Sequence, residues 1–166
     1  MKHPIPFIII LVLLFLVAAL FLYMVPPTEN RIVELDVRGV SIRVELAQTL
    51  FERAQGLGGR ASLEDGAGML FLSDTKENVI WMKGMKFPID IVWIHGGRIV
   101  DFEENAAPEP GVPDEFLTRY ASDVPAEFVL ELPAGFVRSH GIQMGDDVYV
   151  REGALPPAYQ AFLKTK

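Results

Sequence analysis

Residues 32–46 read Ile-Val-Glu-Leu-Asp-Val-Arg-Gly-Val-Ser-Ile-Arg-Val-Glu-Leu. Val40, Ile42, Val44 and Leu46 alternate with Ser41, Arg43 and Glu45. That two-residue period belongs to a strand with one face buried. Residues 32–37 read as a partner strand, and Arg38-Gly39 between them suits a tight hairpin turn.

Downstream the period changes. Thr49 stands three residues before Glu52, the capping-box spacing. Leu50, Phe51, Ala54 and Leu57 recur at helical intervals, and Gly58-Gly59 supplies a left-handed stop. The pattern predicts one helix over residues 48–57. Short apolar runs follow at 69–72, 79–82 and 89–95; Gly96-Gly97 joins the last to 98–102 as a second hairpin. Residues 128–132 and 147–151 are further strand candidates. Many short strands with one helix predict a mainly β domain, a sandwich or barrel with one short α-helix. Residues 103–127 hold Pro108, Pro110, Pro113 and Pro125 without periodicity. A segment of that length is either functional or a surface excursion.

Upstream, residues 7–25 read FIIILVLLFLVAALFLYMV, without a charge, Pro, Gly or Asn. As a helix this run spans roughly 28 Å, the thickness of a bilayer core. Pro26-Pro27 would stop it. The run exceeds the apolar stretch of a cleaved signal peptide, and Ala18-Ala19 lies inside it rather than after it. The expectation is one N-terminal transmembrane helix acting as an uncleaved signal anchor within residues 1–27. Lys2 before the span favours an inside N-terminus. Residues 28–166 then form one β-rich domain on the periplasmic side of the inner (cytoplasmic) membrane.

The 166-residue chain has no cysteine, which excludes disulfides, thiolate metal sites and cysteine nucleophiles. Its formal charge is −7, and Lys2 is the one charged side chain before residue 26. The remainder is therefore acidic and repels phosphate backbones, so nucleic acid is not expected as a partner. Beyond residue 25 the histidines are His95 and His140 alone, so neither a metal nor a cofactor is expected.

Gly56-Leu57-Gly58-Gly59 follows a helix instead of opening one, which is wrong for a phosphate loop. No Gly-x-Ser-x-Gly elbow is present. What remains is Arg53, Arg60, Trp81, Lys83 and Asp90, a candidate ligand-binding set. Guanidinium groups, an ammonium and an indole together suit a small anion or a glycan. Asp90, between Ile89 and Ile91, needs a partner if buried, and Arg53, Arg60 or Lys83 could supply it. The same residues also read as a structural ion-pair network. The favoured reading is a tethered binding or scaffold module that takes a small anion, a glycan or an envelope protein, without assigned catalysis. The alternatives are an envelope hydrolase using Asp90 or Glu131 as acid or base, and a purely structural assembly role.

Four motifs carry a family resemblance. They are Glu52-Arg53-Ala54-Gln55-Gly56-Leu57-Gly58-Gly59-Arg60; Gly68-Met69-Leu70-Phe71; Trp81-Met82-Lys83 with Pro88-Ile89-Asp90-Ile91; and Val129-Leu130-Glu131-Leu132 with Ala134-Gly135, then Gly145-Asp146-x-Val148. In order and spacing they resemble the domain of unknown function 192 family of bacteria and archaea, over about residues 33–150. The resemblance implies a jelly-roll-like β-sandwich and an exported or anchored leader, and no activity. The family pattern has Asn after Met-Lys, where this chain has Gly84, and often Met at the position of Gly58.

Overall fold

The computed structural model describes Ile10, residues 13–15, residues 32–73 and residues 78–165. The transmembrane helix expected at 7–25 lies outside the described residues except for Ile10, Leu13, Leu14 and Phe15, which are helical and exposed. Among the described residues no helix is long and apolar enough to cross a membrane.

The domain is mainly β. Its strands are β1 (Ile32–Val37), β2 (Val40–Ala47), β3 (Ala67–Leu72), β4 (Ile89–His95), β5 (Arg98–Ala106), β6 (Phe128–Pro133), β7 (Val148–Glu152) and β8 (Lys164–Thr165). Among the described residues of the domain, two short α-helices accompany them, α1 (Leu50–Gln55) and α2 (Phe136–Ser139). All eight strands form one sheet, in the order β5-β4-β6-β3-β2-β1-β7-β8. The sheet curls far enough for its β5 end to meet the approach to β7. There Val148 N–H donates to Gly97 O at 2.9 Å and Ile99 N–H to Asp146 O at 3.0 Å. The result is a single half-closed barrel rather than two stacked sheets.

Both hairpins form as their patterns predict, with Val37 opposite Val40 and His95 opposite Arg98. The second half of the pattern behaves differently. β2 and β3 pair in parallel, and the chain crosses between them through α1. The helix is shorter than 48–57. It begins after Thr49, whose side chain and that of Glu52 form the capping box, and it ends at Gly56. Gly56 has φ 50° and ψ −136°, a conformation open essentially to glycine alone, so the turn breaks there and not at Gly58-Gly59. Residues 79–82 form no strand beyond an isolated bridge between Ile80 and Tyr120. They belong, with 106–126, to a layer covering the outer face.

Two apolar clusters result. One fills the inside of the curl with Leu35, Ile42, Val44, Leu70, Val92, Phe128 and Leu130. The other lies outside it, where Leu57, Met82, Ile80, Tyr120 and Ala126 cover Phe71, Ile91, Trp93 and Val129. The central strands β3, β4 and β6 are thus buried on both faces, which is why they read as apolar runs interrupted inside only by Asp90 and Glu131.

Asp90 is fully buried in β4. Its Oδ1 accepts from Asn105 N–H at 2.9 Å and Gly135 N–H at 3.0 Å, and its Oδ2 from Val137 N–H at 2.9 Å. Backbone amides, not Arg53, Arg60 or Lys83, are the partners its burial demands.

Both clusters draw wholly on residues 33–163, so a 28–166 fragment should be soluble and unfold cooperatively in urea. Aggregation of a clean fragment would sink that expectation. In it, Asp90→Ala leaves three buried donors unpaired and should cost about 3 kcal/mol or more. Asp90→Asn should recover part of the loss, since its amide nitrogen cannot accept from the third donor; urea midpoints report both.

Candidate functional site

On the outer face, α1, β3, β6 and the 78–85 segment enclose a cleft of about 220 Å³. Arg53, Gly56, Phe71, Trp81, Lys83 and Glu131 line it. Glu131 forms its floor. In β6 it pairs with Met69 on one side and Ile91 on the other, and it is 5% exposed. Its Oε2 has no hydrogen-bond partner among the described residues. Burial pushes its carboxyl up to about 8, and the Arg60 charge opposes this more weakly. At neutral pH the group is therefore chiefly a neutral acid, able to donate a hydrogen bond as well as accept one.

Gly56 keeps the floor open. A Cβ there would lie 3.1 Å from Phe71 Cζ and 4.0 Å from Glu131 Oε2. Gly58 serves a second close approach: a Cβ would stand 2.8 Å from Gln55 O and 3.0 Å from Lys83 O. That approach lets Gly59 N–H donate to Gly84 O at 2.9 Å, pinning the 78–85 wall against the end of α1. Gly84 has φ 68°, the left-handed region that Gly and Asn share. Most other side chains would be strained at that position.

The cations differ in role. Arg53 is held at the rim, its Nη1 donating to Gln48 O at 2.8 Å and Leu72 O at 3.0 Å. Lys83 Nζ pairs with Asp114 at 2.5 Å and lies 5.5 Å from the centre of the Trp81 ring. The Arg119 guanidinium stacks nearer that ring, at 3.8 Å. Arg60 stands apart, bound through both terminal nitrogens to Glu45 at 2.6 and 2.8 Å, and this partnership raises its pKa. It lines two neighbouring grooves instead.

The structure therefore brings Arg53, Trp81 and Lys83 to one cleft, places Arg60 behind it, and puts Asp90 in the sheet as a structural acceptor. Glu131, read from sequence only as an alternative acid, is the side chain aimed into the cleft. Arg119 and Asp114 come from the Pro-rich segment, where no periodicity or motif marks them. Among the described residues no group of three or more His, Asp or Glu could hold a metal ion.

Residues 33–150 match the model of the family DUF192, described as Uncharacterized ACR. Two solved structures are similar. One is a protein of unknown function from Novosphingobium aromaticivorans, 32% identical, with a TM-score of 0.65 over 74% of this chain and 88% of that one. The other, from Sinorhizobium meliloti and provisionally described as a transcription regulator, is 32% identical, with a TM-score of 0.63 over 72% and 92% of the two chains. No curated protein matches.

Glu131 gives a pH signature. The unfolded chain releases its proton near 4.5, while the folded chain holds it to about 8. Its contribution is undiminished below 4.5 and declines as pH rises toward 8, with a slope of at most about 1.4 kcal/mol per pH unit. Glu131→Gln cannot titrate, so the difference between wild-type and variant urea stabilities should grow in the variant's favour from pH 4.5 to 8. A flat difference would show that the carboxyl ionises normally in the fold.

Proposed function

The chain belongs to the DUF192 family, and we propose that it is a membrane-tethered binding module that holds a small, acceptor-bearing ligand in the outer-face cleft. The observation carrying this reading is the Glu131 carboxyl oxygen, buried and without a hydrogen-bond partner among the described residues, at the floor of a cleft with cations at its rim. An unsatisfied buried polar group costs free energy unless something occupies the site with it. A neutral acid beneath Arg53 and Lys83 suits a ligand presenting oxygen acceptors, an anion such as a carboxylate or a hydroxyl-rich glycan unit. The Trp81 face offers the apolar side of such a unit a platform. A cleft of about 220 Å³ admits a monosaccharide-sized molecule.

Tethering rests on the uncharged run at 7–25, and the periplasmic side of the inner membrane on Lys2 ahead of it. The acidic charge of the domain disfavours nucleic acid as a partner.

One observation favours a second reading, an envelope hydrolase. A carboxyl raised to about 8 is protonated at neutral pH, as a general acid must be. Turnover of glycoside or ester substrates that disappears in Glu131→Gln would replace the binding reading.

Calorimetric titration of the 28–166 fragment with anion and glycan panels tests the proposal. Lys83→Ala should weaken binding roughly tenfold, the scale of one charge-assisted hydrogen bond. For an anion, binding should fall as pH rises past 8, because ionised Glu131 repels it, and Glu131→Gln should abolish that fall. Unchanged affinity in a folded Lys83→Ala variant would mark the cluster as structural. Arg53→Ala is the weaker probe, because Arg53 also holds two backbone carbonyls.

A further inference from the structure

Helix α1 lies on the surface with no buried residue. Its last turn contributes Arg53, Ala54 and Gln55 to the cleft, while its first turn presents Leu50 and Phe51 outward, 79% and 76% exposed. Two adjacent large apolar side chains so fully in water are a feature that interaction surfaces explain and a lone helix does not. A third stands at the end of β2 that leads into this helix. Ile32, the first residue of β1, is 55% exposed and pairs with Glu45, from which β2 runs through Ala47 into the α1 cap. Ile32, Leu50 and Phe51 therefore occupy the corner of the domain at which the chain enters it.

The sequence limits what can face that corner. Only Pro26 to Arg31 separate the apolar run from Ile32. Six residues reach about 20 Å when fully extended. If residues 7–25 span a bilayer, this corner cannot leave its neighbourhood. The Glu52 carboxylate is folded back onto the Gln48 and Thr49 N–H groups at 2.8 Å each, which also lowers its pKa. A second protein could cover the same side chains, but nothing about such a partner is fixed by the chain, whereas the bilayer is fixed by the tether.

We infer that Leu50, Phe51 and Ile32 insert into the interfacial region of the bilayer that holds the tether, so that the domain rests on the membrane by the α1 corner. This rests on the membrane-anchor reading above. Because the domain is acidic, apolar burial and not lipid charge drives the contact. It forms on zwitterionic lipid and survives high salt.

The absence of cysteine makes the test direct. Phe51→Cys is labelled with an environment-sensitive fluorophore in the full chain, reconstituted into phosphatidylcholine vesicles with and without doxyl-labelled lipid. Met144→Cys is the control. Met144 is 65% exposed, and it neighbours Asp146, which pairs with Arg38 of the β1–β2 turn, at the opposite end of β1 from Ile32. The expected result is blue-shifted emission and more than about twofold quenching at position 51, as a group about 5–10 Å into the headgroup boundary gives, with neither at position 144. Equal quenching at both positions, or at neither while the chain stays with the vesicles, overturns the inference and leaves the anchor standing. Release of the chain from the vesicles by alkaline carbonate overturns the anchor, and the inference with it.

Discussion

Three backbone amides around one carboxylate organise the β5 end of this sheet. β5 carries a bulge opposite Asp90: Ile89 faces Ala106 and Ile91 faces Glu103, so the longer stretch of β5 lies against a single β4 residue. Asn105, in that bulge, takes φ 58°, and Gly135, at the entry to α2, takes φ 81°. Both left-handed turns aim an N–H at Asp90 Oδ1, and the first turn of α2 aims another at Oδ2. Removing the carboxylate would strand three donors in the interior, each at a cost of about 1–3 kcal/mol. The side chain thus holds β4, the bulge and the β6–α2 turn in one arrangement, and that arrangement presents Ile91 and Trp93 to the outer cluster.

Glu131, one strand away, shows the opposite solution to the same problem. It is almost as deeply buried but has no such ring of donors among the described residues, and its burial is met by protonation. Its position also differs in purpose. Gly56 withholds a side chain directly above it, and Gly58 lets the opposite wall close in beside it. A structural carboxylate and a cleft carboxylate are thus set apart by what surrounds them, although both sit between apolar neighbours in their strands.

That contrast marks how far the sequence could be read. The hairpins were legible because one face of each is defined, by alternation in β2 and by the Gly96-Gly97 turn between β4 and β5. The capping box located the start of α1. β3, β4 and β6 were legible as strands but not as neighbours, because burial on both faces erases the alternation that would assign a face. Residues 79–82 share the same apolar look while serving as cover, which no local pattern separates. Asp90 was legible as a residue needing a partner, and a cation was the expected one. Its actual partners are amides, which every residue but proline carries and which spacing therefore cannot reveal. Trp81 lay in a legible motif, while its stacking partner Arg119 came from a segment with no period at all.

The strand order carries a consequence for how a new chain reaches this state. β1, β2 and β3 follow one another, and β4 with β5 forms a local hairpin, so two partial sheets can assemble early and separately. β6 pairs with β3 on one side and β4 on the other, and it is made only after the whole 107–127 excursion. Until it inserts, each partial sheet has an open edge, one of them carrying Met69, Leu70, Phe71 and Leu72. Such edges pair indiscriminately, and long-range closure is slow. Closure of the sheet therefore waits on residues 128–133, and until they are in place both edges stay open to pairing with other chains.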